Sequence, residues 1–230
     1  MTAALLELES VSRHYGEHVV VHALREVSMS ILPGDFMSIV GPSGSGKSTM
    51  LGLLGCLDLP SSGTVRVDGV DVASLDDAAR SRLRGDAIGF VFQQFHLIPH
   101  LSASANVQTA LLYRGLSARE RRRRADAALG RVGLAERSDH RPVQMSGGEQ
   151  QRVAIARAIV TEPLIVLADE PTGALDTENS EKVLDIFASL RSESRAIVMV
   201  THDLTVAARA ERTISMRDGG IVADERWSSS

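Results

Sequence analysis

Apolar positions along the chain follow two patterns. Between residues 5 and 31 they come in short groups: Leu6, Leu8 and Val11, then Val19-Val20-Val21, then residues 27–31 ahead of a Pro33-Gly34 turn. Period-2 alternation predicts half-buried strands, and residues 63–69 (GTVRVDG) add a hairpin with an Asp-Gly close. Together these segments predict a small antiparallel sheet. Ile88–Phe92, residues 164–168 and Ala196–Val200 are instead unbroken apolar runs. A strand buried on both faces has no polar side, so these runs predict a parallel sheet covered by helices. Residues 99–159, between the first two runs, are rich in Ala, Arg and Leu and nearly free of strand signals. They predict an inserted helical lobe. Residues 180–190 show amphipathic helical spacing, residues 213–222 a last hairpin turning at Asp218-Gly219-Gly220, and residues 227–230 no usable pattern.

Bulk properties narrow the function. A chain of 230 residues suits one large domain, or one domain with an inserted lobe. The net charge of −4 gives no reason to expect a nucleic-acid partner. Arg119-Glu120 and the four arginines after them form the one strong charge run, which reads as a solvated helix face. The single cysteine, Cys56, excludes an internal disulfide, fits a reducing compartment, and reads as a small buried residue on the helix after the glycine-rich loop described next. No apolar stretch approaches the ~20 residues of a membrane span, and the start MTAALLELES lacks a signal-peptide pattern. The expectation is a cytoplasmic protein whose membrane role, if it has one, comes through a partner.

The chemistry concentrates where the apolar run Phe36–Val40 ends. Gly41-Pro42-Ser43-Gly44-Ser45-Gly46-Lys47-Ser48 fills every fixed position of the phosphate loop G-x-x-x-x-G-K-[ST], with a strand before it and apolar helical spacing after it. Glycines let backbone N–H groups turn inward around phosphate oxygens, and the helix that follows points its positive end at the same anion. Lys47 can reach the β- and γ-phosphates, and the Ser48 hydroxyl can take a position on Mg²⁺. The alternative is a glycine-rich turn that binds nothing.

A second constellation follows the run 164–168. Asp169, at a strand end beside a phosphate loop, has the position that holds Mg²⁺, and Glu170 is placed for general-base work on a water aimed at the γ-phosphate. Both acids could instead merely cap the next loop. His202, in VMVTHD, ends another buried strand; a lone histidine is usually structural, but its place on the same sheet edge favours a γ-phosphate contact. The third is Ser146-Gly147-Gly148, a second helix start suited to an anion. Two anion sites crowd one compact core, and a symmetric dimer in which each grip covers the other chain's nucleotide resolves this.

In order along almost the whole chain, these residues resemble the ATP-binding-cassette (ABC) ATPases. GPSGSGKST resembles the family's phosphate loop, MSGGEQQRVAIARAI its signature helix, LIVLADEPTGALD its magnesium strand, and VMVTHD its histidine switch. The resemblance implies an α/β P-loop NTPase (RecA-like) core over residues 4–226. An N-terminal antiparallel β subdomain and a helical subdomain inserted at about 95–160 complete the implied fold. It implies Tyr15 stacking on adenine, Gln93 sensing Mg²⁺ and the attacking water, and Asp176 crossing a dimer interface. Tyr15 could equally be packing. Gly41, Ser43, Gly44, Ser45, Gly46, Lys47, Ser48 and Thr49 would hold the phosphates of ATP, covered by Ser146, Gly147 and Gly148 of a second copy. Glu170, His202, Lys47 and Gln93 would carry hydrolysis, and Ser48, Gln93 and Asp169 the Mg²⁺.

Two signature positions depart from the common pattern. Met145 in place of leucine conserves volume, and Glu149 in place of glutamine brings a charge, expected to turn outward and favour the helix dipole. A finer resemblance, to lipoprotein-release and macrolide-efflux ATPases, implies a homodimer on an integral membrane permease with an extracytoplasmic domain. It also implies a place on the inner face of the membrane. Cassette ATPases that act on DNA or ribosomes are the rival class, usually marked by paired cassettes or a coiled-coil insertion.

Overall fold

The computed structural model describes residues 3–16 and 19–226. Strands β1 (Leu6–Tyr15) and β2 (Val21–Ile31) precede the first core strand, β3 (Phe36–Val40), and helix α1 (Lys47–Leu54). Strands β4 (Ser62–Val67) and β5 (Val70–Asp71) return to the first pair, and α2 (Asp77–Ala87) leads into β6 (Ile88–Phe92). Helices α3 (Ala103–Gln108), α4 (Ala118–Arg131) and α5 (Gly147–Ile159) come next. The chain then alternates β7 (Ile165–Asp169), α6 (Thr177–Leu190), β8 (Ala196–Val200) and a short α7 (Leu204–Ala207), and ends in the hairpin β9 (Arg212–Arg217) and β10 (Gly220–Arg226).

The small sheet has the order β2-β1-β4-β5 and is antiparallel throughout. The segments at 19–21 and 27–31, expected as separate strands, are not two strands: Val21 opens β2, which runs unbroken to Ile31. The polar residues between them are absorbed by irregularities in the ladder. Ser10 and Glu26 take left-handed φ of 48° and 47°, and their N–H groups donate to Ser28 Oγ and Ser12 Oγ. Hydroxyls thus replace missing ladder partners, as at β-bulges.

The central sheet has the order β10-β9-β3-β8-β7-β6, parallel except for β10. Its interior strands are buried on both faces, which is why they carry no polar alternation. Met37, Ile39, Leu167 and Val198 face a cluster shared with α1 and the small sheet. Val166, Ala168, Ile197 and Met199 face a second cluster shared with α5 and α6. The last hairpin belongs to this central sheet, since β9 pairs in parallel with β3.

Helix α2 escapes the sequence pattern because only Ala87 of it is buried, so no apolar stripe marks it. Helix α6 starts at Thr177, three residues before its apolar spacing shows, and strand β7 runs one residue past the apolar run to include Asp169. The arginine run lies on α4, where Arg123 and Arg124 both bond Glu120 at 2.8 Å and push its carboxyl down to about 2. Cys56 is buried as expected, but α1 ends at Leu54, so the cysteine lies just beyond the helix. Burial raises its thiol to about 11, out of reactive range. Residues 227–230 lie outside the described part.

Candidate functional site

Parallel register sets four strand ends at one height. Phe92 pairs with Asp169, Asp169 with Val200, and Val200 with Ile39. The next residues are therefore Gln93, Glu170, Thr201 and, at the β3 end, Val40 leading into the glycine-rich loop. They open on a cleft of about 670 Å³ lined by Ser43, Lys47, Ser48, Gln93, Asp169, Glu170 and His202. Ligands of open α/β sheets bind at such carboxyl ends.

The loop is built for an anion. Among the α-helices of the described residues, α1 is the one whose N-cap supplies no side-chain acceptor; Asp76, Ser102, Ser117, Ser146, Asp176 and Asp203 cap the others. Its N-cap is Gly46 at φ 101°, where a Cβ would stand 2.5 Å from the Ala23 carbonyl oxygen, so only glycine fits. Lys47 Nζ donates to the carbonyls of Gly41 at 2.7 Å and Pro42 at 2.9 Å. An ammonium has three donors, which leaves one for a phosphate oxygen. Ser43, Gly44 and Ser48 are exposed, and Gly41 and Thr49 half-buried. Ser45 is buried, its Oγ without a partner.

Asp169 is half-buried, and its carboxyl is raised by that burial and by Glu170, against the opposing pull of Lys47. The Asp169 carboxylate, the Ser48 hydroxyl and the Gln93 amide oxygen, all on this cleft, are the all-oxygen donor type a Mg²⁺ ion takes. The side chain of Gln93 lies on Gly173, where a Cβ would come within 2.7 Å of Nε2.

Glu170 stands in a left-handed conformation, φ 44°. Its carboxylate accepts from Thr201 Oγ1 at 2.9 Å, from the His202 backbone N–H at 2.9 Å, and lies 2.6 Å from His202 Nδ1. A carboxylate only accepts, so Nδ1 carries the proton in that bond. With about four lone-pair sites and these three used, one is left for a water. Thr201, 1% exposed, was not singled out in the sequence. Its signal is a hydroxyl ahead of His202 at the end of an apolar run.

The remaining predicted residues lie outside the cleft lining. Tyr15 has its hydroxyl tied to Asp58 Oδ2 at 2.8 Å and one ring face covered by the Arg13 guanidinium, 4.5 Å from the centroid. Ser146, Gly147 and Gly148 form the exposed-to-buried first turn of α5, and Asp176 caps α6 through the Asn179 N–H. Glu149 is not swung out into solvent. Its Oε2 accepts from the Ser146 N–H at 2.8 Å while Ser146 Oγ accepts from the Glu149 N–H, and Arg137 lies 3.4 Å from Oε1. A capping box draws the carboxylate back onto the helix end.

The sequence model of the ABC transporter family matches residues 24–173 of this chain. The chain belongs to that family. It is 51% identical over 224 residues to the macrolide export ATP-binding/permease protein MacB 1 of Yersinia pestis bv. Antiqua (strain Antiqua), covering 96% of this chain and 34% of that one. The cassette thus spans about a third of the length of that relative. It is 47% identical over 225 residues to the uncharacterized ABC transporter ATP-binding protein YvrO of Bacillus subtilis (strain 168), covering 96% of this chain and 97% of that protein. Among solved structures, the dimeric post-hydrolysis state of the cassette MJ0796, bound to ADP and Pi, superposes with a TM-score of 0.88 at 45% identity. That match covers 98% of this chain and 100% of the other. The α/β cassette fold, with its antiparallel and parallel sheets, is the one this structure shows.

Proposed function

We propose that the cassette closes as a symmetric dimer around two Mg-ATP, hydrolyses them, and drives a membrane permease of the efflux or lipoprotein-release type. The observation that carries this reading is the single row of strand ends, which gathers Lys47, Ser48, Gln93, Asp169, Glu170 and His202 on one cleft. Residues 4–226 act as the working unit, with the helical part at about 95–160 as an arm inserted in its core. Lys47 and the first turn of α1 bind the phosphates, and Tyr15 offers its uncovered face to the base. Glu170, at its remaining lone-pair site, takes the proton of the attacking water. His202, held by Glu170, and Lys47 stabilise charge on the γ-phosphate. Mg²⁺ held by Ser48, Gln93 and Asp169 neutralises phosphate charge when bound.

The dimer is supported by the position of Ser146-Gly147-Gly148, which line no part of their own chain's cleft. A second copy is what brings them to a nucleotide, with Asp176 at the same interface. ATP but not ADP then bridges the two chains, and that differential affinity does the mechanical work. No helix among the described residues is long and apolar enough to cross a membrane. The MacB relative, named as an ATP-binding/permease protein, supports a permease as the partner; attachment to the inner face of the membrane, through a permease with an extracytoplasmic domain, completes the proposal. The groove of about 320 Å³ between β6 and the helical arm, lined by Phe90, Phe92, Thr109 and Arg157, is where a cytoplasmic helix of that permease would seat.

The test is Glu170→Gln. Turnover should fall roughly 10²-fold or more while ATP binding persists. Light scattering should then find an ATP-bound dimer; a chain that stays monomeric with ATP would count against the closed sandwich.

A further inference from the structure

Gln151 is 0% exposed, on the core side of α5 one turn past the grip. Its Nε2 donates to the Pro171 carbonyl at 2.6 Å and approaches that of Phe92 at 3.4 Å, while Oε1 is buried without a partner. Pro171 follows Glu170, and Phe92 precedes Gln93. One amide therefore ties together the helix that begins at Ser146, the Glu170 turn and the Gln93 loop. Six residues further along α5, Arg157 donates to the Phe95 carbonyl at 2.8 Å and to that of His96. Both of those loop residues have positive φ, 27° and 49°. Helix α5 thus holds the loop on either side of Gln93 and Gln94, and Arg157 also lines the groove beside β6.

A buried amide that leaves its oxygen unbonded is a poor core filler, and burying an unpaired polar atom is costly. What it supplies instead is a fixed reach between α5 and two catalytic segments. We propose that Gln151 is a positioning residue: it transmits the seating of the α5 first turn to Glu170 and Gln93. The inference rests on the reading that α5 grips the partner copy's nucleotide and Glu170 is the base. A shift of about 1 Å at a reacting group can cost up to ~10²-fold in rate, so the loss of this tie should show in kcat before it shows in binding.

The experiment replaces Gln151 in the full chain by the similarly long but donor-free Met. Expected for Gln151→Met are a fall in kcat of about tenfold, ATP Kd by calorimetry changed less than about twofold, and retained dimerisation with a non-cleavable ATP analogue. A folded Gln151→Met chain with kcat within about twofold of the parent overturns the inference. Because the exchange alters a fully buried position, circular dichroism accompanies the assay. If the Met chain is unfolded, Gln151→Asn, which keeps the amide but is too short to reach Pro171, takes its place with the same expectations. Glu170→Gln run in parallel separates the two layers. A dead Glu170→Gln chain beside an unaffected Gln151 variant removes the positioning role alone. A fully active Glu170→Gln chain removes the catalytic reading, and the inference with it.

Discussion

Thr201 donates its hydroxyl to Glu170 Oε2 and accepts the Asp203 N–H at 3.1 Å, so it is locked between the putting-in-place of the acid and the start of α7. Thr201→Val keeps the shape and removes the donor. The expected result is a kcat lowered about tenfold with ATP affinity unchanged, and Thr201→Ser should recover most of the loss in the same steady-state assay. Glu149 makes a different prediction. The Ser146 N–H bonded to it, with Ser146 Oγ and Arg137 adding, holds its carboxyl below the ordinary 4.5. A depressed value means that the charged form stabilises the fold above about pH 4.5 and that this contribution fades as pH falls through the folded-state value. Glu149→Gln keeps a neutral cap and removes only the charge. Its Tm should sit about 1–3 °C below the parent at pH 7, with the gap closing as pH falls below 4.5 in a calorimetric pH series. With the carboxylate held on its own helix end, ATPase activity should change by less than about tenfold.

At the scale of elements, legibility followed burial. β7 and β8 could be read because both of their faces meet apolar clusters, which leaves an apolar run, and β3 differs only by the buried Ser38, whose hydroxyl lies 3.1 Å from that of Thr213. The glycine-rich loop could be read because its fixed glycines answer to backbone geometry that no other residue type meets, as Gly46 shows, and its Lys47 and Ser48 to phosphate chemistry. From sequence β2 reads as two segments because ladder irregularities at Ser10 and Glu26 are settled by hydroxyls across the hairpin, a tertiary matter invisible to a window of local pattern. Helix α2 has almost no buried face, so its one sequence signal is the Asp76 cap, which accepts the Ala79 N–H at 2.7 Å. Asp76→Ala should cost about 1 kcal/mol in urea unfolding, measured as a lower midpoint at unchanged m. The hidden parts of the site, Thr201 and Gln151, are polar residues whose meaning depends on which carbonyl or carboxylate the fold brings opposite them.

For the whole molecule, a composite site makes a prediction no single chain can meet. Lys47→Ala removes the phosphate-binding cation from a chain's own cleft, and Ser146→Ala removes the grip proposed to cover the partner's nucleotide. Each homodimer should be nearly inactive. Mixing the two chains should restore turnover, because half of the mixed dimer then has both an intact loop and an intact grip; a mixture no more active than its components would exclude shared sites. The common height of the β6, β7, β8 and β3 ends has one more outcome. The sheet acts as a length standard for the reaction centre: apolar exchanges inside it leave the standard intact, whereas deleting one residue from β7 would withdraw Asp169 and Glu170 by one step and turn their side chains to opposite faces. Tolerance to apolar substitution at residues 165–168, with intolerance to indels in the same strand, is therefore the mutational signature this architecture imposes.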